Sequence, residues 1–465
     1  MKSLAALALL LPFQGVRAAS PDGPQPDHAV GDSTRLWTLD NTEHLALHGV
    51  SATVAVYRGR KSVRLVESAG TTPIDRDRAV AFIDNADFRD GTIELWVAGA
   101  VRPDAADTSV RGFVGVAFRG TPETNQYENF YLRPTNGRSS DQVRRNHAVQ
   151  YESMPDYPWF RLRRESAGGY EAYVDLQPGV WTKMKLVVAG TRAQLFVNDA
   201  SQPSLIVNDL KLGNTHGLIG LWIGPGTEAY FSELRVSGGP PSLGSAMSPD
   251  IASARTGSDV RLDSTTKVEL SNAAVRPVEY RGRHALKLVP LPGHERAMNE
   301  QMQAVLTETD FKDGAIEIDV AGARREGYST AEDLSGFKGM IGLSFRVQGN
   351  KAERFYVRPQ NARLENQLFR NFSTQYESVP DFPWDLLREK SPAMYESYVD
   401  LEPGAWTRLR IEVSGTEARL YVNGATQPCL VVNDLKSGVG RGKLALWSRV
   451  STEAYFSNLK VYPVP

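Results

Sequence analysis

Gly91-Thr-Ile-Glu-Leu-Trp-Val97 puts Ile93, Leu95 and Val97 on one face and Thr92, Glu94 and Trp96 on the other. Such period-two alternation marks a half-buried strand, because successive side chains leave a strand on opposite sides. Lys183-Met-Lys-Leu-Val-Val188, Gln194-Leu-Phe-Val197, Leu218-Ile-Gly-Leu-Trp222 and the run over 231–236 read the same way, with Gly, Asn and Asp turns between them. Sustained helical periodicity is scarce. Sheets built from these strands are apolar on one side and must cover that side with a second sheet, which predicts a two-layer antiparallel sandwich.

The second half of the chain restates the first. Phe130-Tyr-Leu-Arg-Pro-Thr-Asn-Gly-Arg138 returns as Phe355-Tyr-Val-Arg-Pro-Gln-Asn-Ala-Arg363, and Gln150-Tyr-Glu-Ser-Met-Pro-Asp-Tyr-Pro-Trp159 returns as Gln375-Tyr-Glu-Ser-Val-Pro-Asp-Phe-Pro-Trp384. The register holds through Val207-Asn-Asp-Leu-Lys211 and Val432-Asn-Asp-Leu-Lys436 to Glu228-Ala-Tyr-Phe-Ser232 and Glu453-Ala-Tyr-Phe-Ser457. A unit this long exceeds solenoid periods of about 20–50 residues, so whole domains are duplicated. The expected layout is one domain over 31–236, a linker over 237–258 rich in Gly, Pro, Ser and Ala, and a second domain over 259–465.

Composition narrows the function. The 465 residues carry 53 Lys and Arg against 54 Asp and Glu, so no basic excess exists to neutralise a phosphate backbone, and nucleic-acid binding is not expected. The single cysteine, Cys429, excludes an internal disulfide and reads as a small core residue. Lys2, the apolar run over 4–11 and Val16-Arg17-Ala18 read as a signal peptide over 1–18. That run is short of the roughly 20 residues a spanning helix needs. The expectation is a secreted or periplasmic protein without a transmembrane anchor.

The later strands carry a family resemblance. Pro403-Gly-Ala-Trp-Thr-Arg-Leu-Arg-Ile-Glu-Val413, Ala418-Arg-Leu-Tyr-Val-Asn-Gly424, Val431-Val-Asn-Asp-Leu-Lys436 and Ala454-Tyr-Phe-Ser-Asn-Leu-Lys-Val461 follow in order. This run resembles the concanavalin A-like jelly-roll superfamily, laminin G-like modules included, and is most similar to bacterial 3-keto-disaccharide hydrolase domains. The resemblance implies an all-β protein of two tandem jelly-roll sandwiches. Glycan recognition, with processing of the glycan, is the function expected first; hydrolysis of 3-keto-disaccharides or related oligosaccharides is the alternative the resemblance implies, and protein interaction of the laminin G kind the second.

Duplication supplies an internal comparison. None of the seven histidines recurs: His147 faces Phe372, His216 faces Arg441, and His44 faces Lys267. A histidine chemistry common to both domains is therefore excluded, and His147 reads as solvated or packed. Recurring instead are Arg133, Asn136, Arg138, Gln142, Arg145, Asn146, Gln150, Tyr151, Glu152, Asp156, Trp159 and Arg163. Their partners are Arg358, Asn361, Arg363, Gln367, Arg370, Asn371, Gln375, Tyr376, Glu377, Asp381, Trp384 and Arg388. Guanidinium forks, amides and aromatic faces suit an oligosaccharide or polysaccharide, whose hydroxyls donate and accept while its C–H face stacks on rings. Loops in which Arg braces carboxylates would keep the same residues.

For an enzyme, Glu152 or Asp156, and Glu377 or Asp381, are the candidate general acid and base. Carboxyl separations, which distinguish retaining from inverting hydrolysis, are not legible in a sequence. Glu317-Ile-Asp319 is similar to part of the acidic strand of family 16 glucanases, but Gly322 stands where the third acid belongs, and Trp96 replaces Asp319 in the first copy. Glu94 and Glu317 therefore read as polar-face strand residues. A polysaccharide lyase would use Arg145, Gln150 and Tyr151 without the ordered motifs of that class. The resemblance also admits calcium, with Asp209 and Asp434 as oxygen ligands, although no loop has the spacing of a particular site.

Overall fold

The computed structural model describes residues 34–68, 79–105, 107, 109–123, 125–238, 257–295, 300–326 and 338–463. The signal-peptide segment 1–18 and most of the linker 237–258 lie outside them. The described chain forms two β-sandwiches, each an eight-stranded sheet packed on a seven-stranded one, with antiparallel pairing in all four sheets.

In the first sandwich the seven-stranded sheet runs Glu171–Ala172, Val149–Met154, Gln126–Leu132, Val114–Thr121, Gly217–Ile223, Val80–Phe88 and Leu45–His48. The second repeats that order from Glu396–Ser397 through Thr374–Val379, Lys351–Val357, Ile341–Gln348, Gly442–Arg449 and Gln301–Phe311 to Val268–Ser271. Alternation behaves as expected on Gly91–Val101: Ile93, Leu95 and Val97 enter the core, while Thr92, Glu94 and Trp96 are half-buried on the other face. In the second copy that other face is more covered. Asp319 is buried under Arg283 and Arg408, and Glu317 under Arg410 and the Tyr462 hydroxyl, so these acids serve ion pairs on the sheet surface.

Four short helices decorate the seven-stranded sheets: α1 (Gln142–Asn146), α2 (Trp159–Glu165), α3 (Gln367–Arg370) and α4 (Trp384–Lys390). Asp141 caps α1 by accepting from the Arg144 amide, and Asn366 caps α3 by accepting from the Phe369 amide, so each helix starts where a short polar side chain satisfies its first turn. Among the described residues no helix is long and apolar enough to cross a membrane.

Helices α1 and α3 join the sandwiches through a reciprocal contact. Gln142 Oε1 accepts from the Val431 amide at 2.8 Å, and Gln367 Oε1 accepts from the Ile206 amide at 2.9 Å. Val431 and Ile206 lie on the end strands Leu430–Val432 and Leu205–Val207 of the eight-stranded sheets, so each glutamine bonds an edge that would otherwise be open. Arg145 donates to the Pro428 carbonyl and to the Tyr173 hydroxyl, and Arg370 donates to the Pro203 carbonyl and the Tyr398 hydroxyl. Asn146 Nδ2 bonds the Ala393 and Glu396 carbonyls, while Asn371 Nδ2 bonds those of Gly168 and Glu171, each at 2.7–2.8 Å. The same patch on each half meets its counterpart, as in a two-fold dimer interface.

Gln142→Ala should therefore leave the buried Val431 amide without its acceptor. A loss of about 1–3 kcal/mol in unfolding free energy is expected, read by urea titration. An unchanged midpoint and slope would show that the edge does not depend on the glutamine.

Candidate functional site

A cleft of about 360 Å³ opens on the first sandwich, lined among others by Phe113, Tyr131, Arg133, His147, Glu152, Trp159, Arg163 and Trp222. Sheet geometry sets its floor. Glu152 and Asn129 are directly opposed on adjacent strands, and Tyr131 and Arg133 follow Asn129 along the same face at two-residue steps. Helix α2 supplies the rim, where Trp159 is 40% exposed and Phe160 55% exposed, unusually open positions for rings of that size.

The charged groups are held in a braced network. Arg133 donates to Gln150 Oε1 at 3.1 Å, to the His147 carbonyl at 3.2 Å and to the Tyr131 hydroxyl at 3.0 Å. Glu152 accepts from Asn129 Nδ2 at 3.1 Å and from the Trp159 amide at 3.3 Å, which ties α2 to the floor. Arg163 forks onto Glu171, with its closest contact at 2.6 Å. The guanidinium carbons of Arg133 and Arg163 lie 5.6 and 4.8 Å from the Trp159 ring centroid, in cation–π range.

Electrostatics follow from burial and partners. Burial alone would raise the Glu171 pKa, but the hydrogen bonds and charges of His147 and Arg163 outweigh it and hold the carboxyl at about 2. Burial pushes the His147 imidazole below its ordinary value even though Glu171 opposes this, so the ring is neutral at pH 7, with Nε2 3.0 Å from Glu171 Oε1. Because the folded Glu171 pKa lies below the ordinary 4.5, the unfolded chain takes up that proton first. The stability this group contributes is complete above about pH 4.5 and is lost as pH falls towards about 2. Unfolding free energy measured across that window should fall with acid, and Glu171→Gln should flatten the fall; an identical slope in the variant would remove Glu171 as its source.

The residues singled out from the sequence part into three groups. Arg133, Asn136, Glu152, Trp159 and Arg163 line the cleft. Gln142 and Arg145, with Gln367 and Arg370, are buried in the contact between sandwiches and do not line it. Gln150, Tyr151 and their counterparts Gln375 and Tyr376 are buried framework: Tyr151 bonds Glu128 and the Lys211 amide, as Tyr376 bonds Glu353 and the Lys436 amide. Arg138 pairs with Asp175, and Arg363 with Asp400 and Glu402, on loops. Asp156 and Asp381 are exposed, and Asp156 does not line the cleft.

Asn361 and Arg358 repeat their partners' bonds, to the Phe372 carbonyl in both cases, and Trp384 again lies between Arg358 and Arg388. Asp209 and Asp434 do not suit calcium, since each carboxylate is engaged by a lysine and a tyrosine hydroxyl. Among the described residues no group of three or more His, Cys, Asp or Glu is placed to hold a metal ion.

Two residues at the cleft differ between the copies. His147, read from the sequence as solvated or packed, lines the cleft where the second copy has Phe372, and Asn129, not singled out there, sits against Glu152 where the second copy has Arg354. A difference between copies, rather than an identity, is the signal that could have found Asn129.

No family model matches the chain, and no curated protein matches it. Similar solved structures include the carbohydrate-binding module CBM66 from Bacillus subtilis, 12% identical with a TM-score of 0.30 over 43% of this chain and 99% of that one. A Bacillus subtilis protein of unknown function with a galectin-like fold is 11% identical, with a TM-score of 0.28 over 42% and 88%. Crh5 transglycosylase in complex with NAG is 11% identical, with a TM-score of 0.30 over 47% and 90%.

Proposed function

We propose that this protein is an exported glycan-recognising protein and that the cleft of its first sandwich is the recognition site. The observation that carries this reading is the 40% exposed Trp159 ring set against Arg133 and Arg163 above the buried Glu152. A sugar offers what those groups need. Its C–H face stacks on the ring, while its hydroxyls accept from Arg133 and Arg163 and donate to Glu152. The guanidinium groups would also favour a carboxylated or sulfated glycan. The test is a glycan array probed with the protein, followed by calorimetry on the best binder. Saturable binding of free oligosaccharide is expected, and binding to no sugar on the array would overturn the reading in favour of a protein-interaction module.

Glycan processing, including hydrolysis of 3-keto-disaccharides, is the second reading, and the buried carboxylate of Glu152 at the cleft floor is what favours it. Of the four acids read as catalytic, Glu152 lines this cleft, whereas Asp156 and Asp381 are exposed and Glu377 is ion-paired by Arg354. If Glu152 acts as acid or base, Glu152→Gln should keep ligand affinity and lose turnover by about 10²–10⁴-fold, measured by mass spectrometry of an oligosaccharide mixture. Equal product formation by the variant removes Glu152 from the chemistry.

A further inference from the structure

The two sandwiches share a cleft framework but not a cleft floor. In the first, Glu152, Asn129, Ala117 and Gly220 lie side by side across four strands. The matching row in the second is Glu377, Arg354, Ser344 and Ala445. In the neighbouring row, Val80 beside Trp222 is matched by Gln303 beside Trp447.

Arg354 is only 1% exposed and bonds both of the new polar side chains, Ser344 and Gln303. Its Nε donates to Ser344 Oγ at 2.8 Å, Nη1 to Glu377 Oε1 at 2.7 Å and to Gln301 Oε1 at 2.9 Å, and Nη2 to Gln303 Oε1 at 3.3 Å. The guanidinium carbon lies 4.5 Å from the Trp447 ring centroid, and Trp447 Nε1 donates to Gln301 Oε1 at 2.9 Å. Stacked and ion-paired, this guanidinium fills the floor of the second sandwich.

Among the described residues the first sandwich shows no such group, since Asn129 stands where the arginine does. Asn129 bonds Glu152 through its amide nitrogen, but its Oδ1 finds no hydrogen-bond partner among the described residues, and neither does Trp222 Nε1. Trp222 lines the cleft, and its unanswered indole N–H calls for an acceptor there.

We infer that only the first sandwich binds ligand through this cleft, and that Arg354 occupies in the second the place taken in the first by a polar group of the ligand. That group is a hydroxyl, which can accept from Trp222 Nε1 and donate to Glu152, both of which line the first cleft. The ligand class rests on the glycan reading; the asymmetry between the clefts rests on Arg354 alone.

Two measurements on the full chain test it. Calorimetry with the best array glycan should give one site per chain, and Asn129→Arg, which copies the arginine into the first cleft, should abolish binding at every accessible concentration. Two sites per chain, or undiminished binding by the folded variant, would overturn the inference and leave the glycan reading standing. Crystals soaked in glycerol supply a readout that needs no glycan: a glycerol hydroxyl on Trp222 Nε1 is expected in the first cleft and none beside Trp447. Glycerol in the second cleft, or in neither, overturns it whatever the array shows.

Discussion

Arg354→Ala should destabilise the protein by about 3–5 kcal/mol, the cost typical of removing one partner from a buried ion pair. Arg354 and Glu377 are 1% and 2% exposed, and their 2.7 Å contact lies in the interior. Without the guanidinium, the Glu377 carboxylate must stay charged in a poorly solvated place or take up a proton. Ser344 and Gln303 lose the guanidinium at the same time, and Gln301 keeps Trp447 Nε1 as its donor. The double variant Arg354→Met with Glu377→Gln should recover most of the loss, because neutral groups of similar size carry no desolvation penalty of that kind. Guanidinium chloride unfolding of the three proteins measures both effects. A single-variant loss below about 1 kcal/mol would show that water reaches Glu377 and that the pair is not truly buried. Asn129→Ala in the first copy breaks only a hydrogen bond to Glu152 and is expected to cost less.

Trp159→Ala should weaken glycan binding by at least about tenfold, or about 1.4 kcal/mol, while shifting stability by less than about 1 kcal/mol. The two halves of that expectation come from one fact: the ring is 40% exposed, so much of its surface is presented to the cleft and not to the core. Its removal deletes the stacking surface and loosens Arg133 and Arg163, which lie against it. The network beneath survives, since Arg163 keeps Glu171, Arg133 keeps Gln150, and the residue-159 amide still reaches Glu152. Calorimetry paired with thermal unfolding separates the outcomes. Unchanged affinity would remove Trp159 from the site, and a large loss of stability would make the ring a packing element.

Much of the fold was legible in the chain itself. Strict alternation over Gly91–Val97 is satisfied by a sheet with one buried face, and restatement of the same motifs 225 positions later requires that sheet system twice. Residues kept in both copies, such as Gln150 and Tyr151, proved to be framework on which both sandwiches depend. What the tertiary structure alone decided is which polar residues line the cleft. Gln142 and Arg145 look like binding residues in sequence, yet their partners Val431 and Pro428 lie in the other domain. A two-fold contact imposes the same residues on both halves, so recurrence could not tell an interface from a site. The cleft floor was hidden for the opposite reason: Asn129 and Arg354 differ, and only packing shows that a single guanidinium, with Ser344, Gln301 and Gln303 around it, stands in one copy where the other has an amide bonded to Glu152.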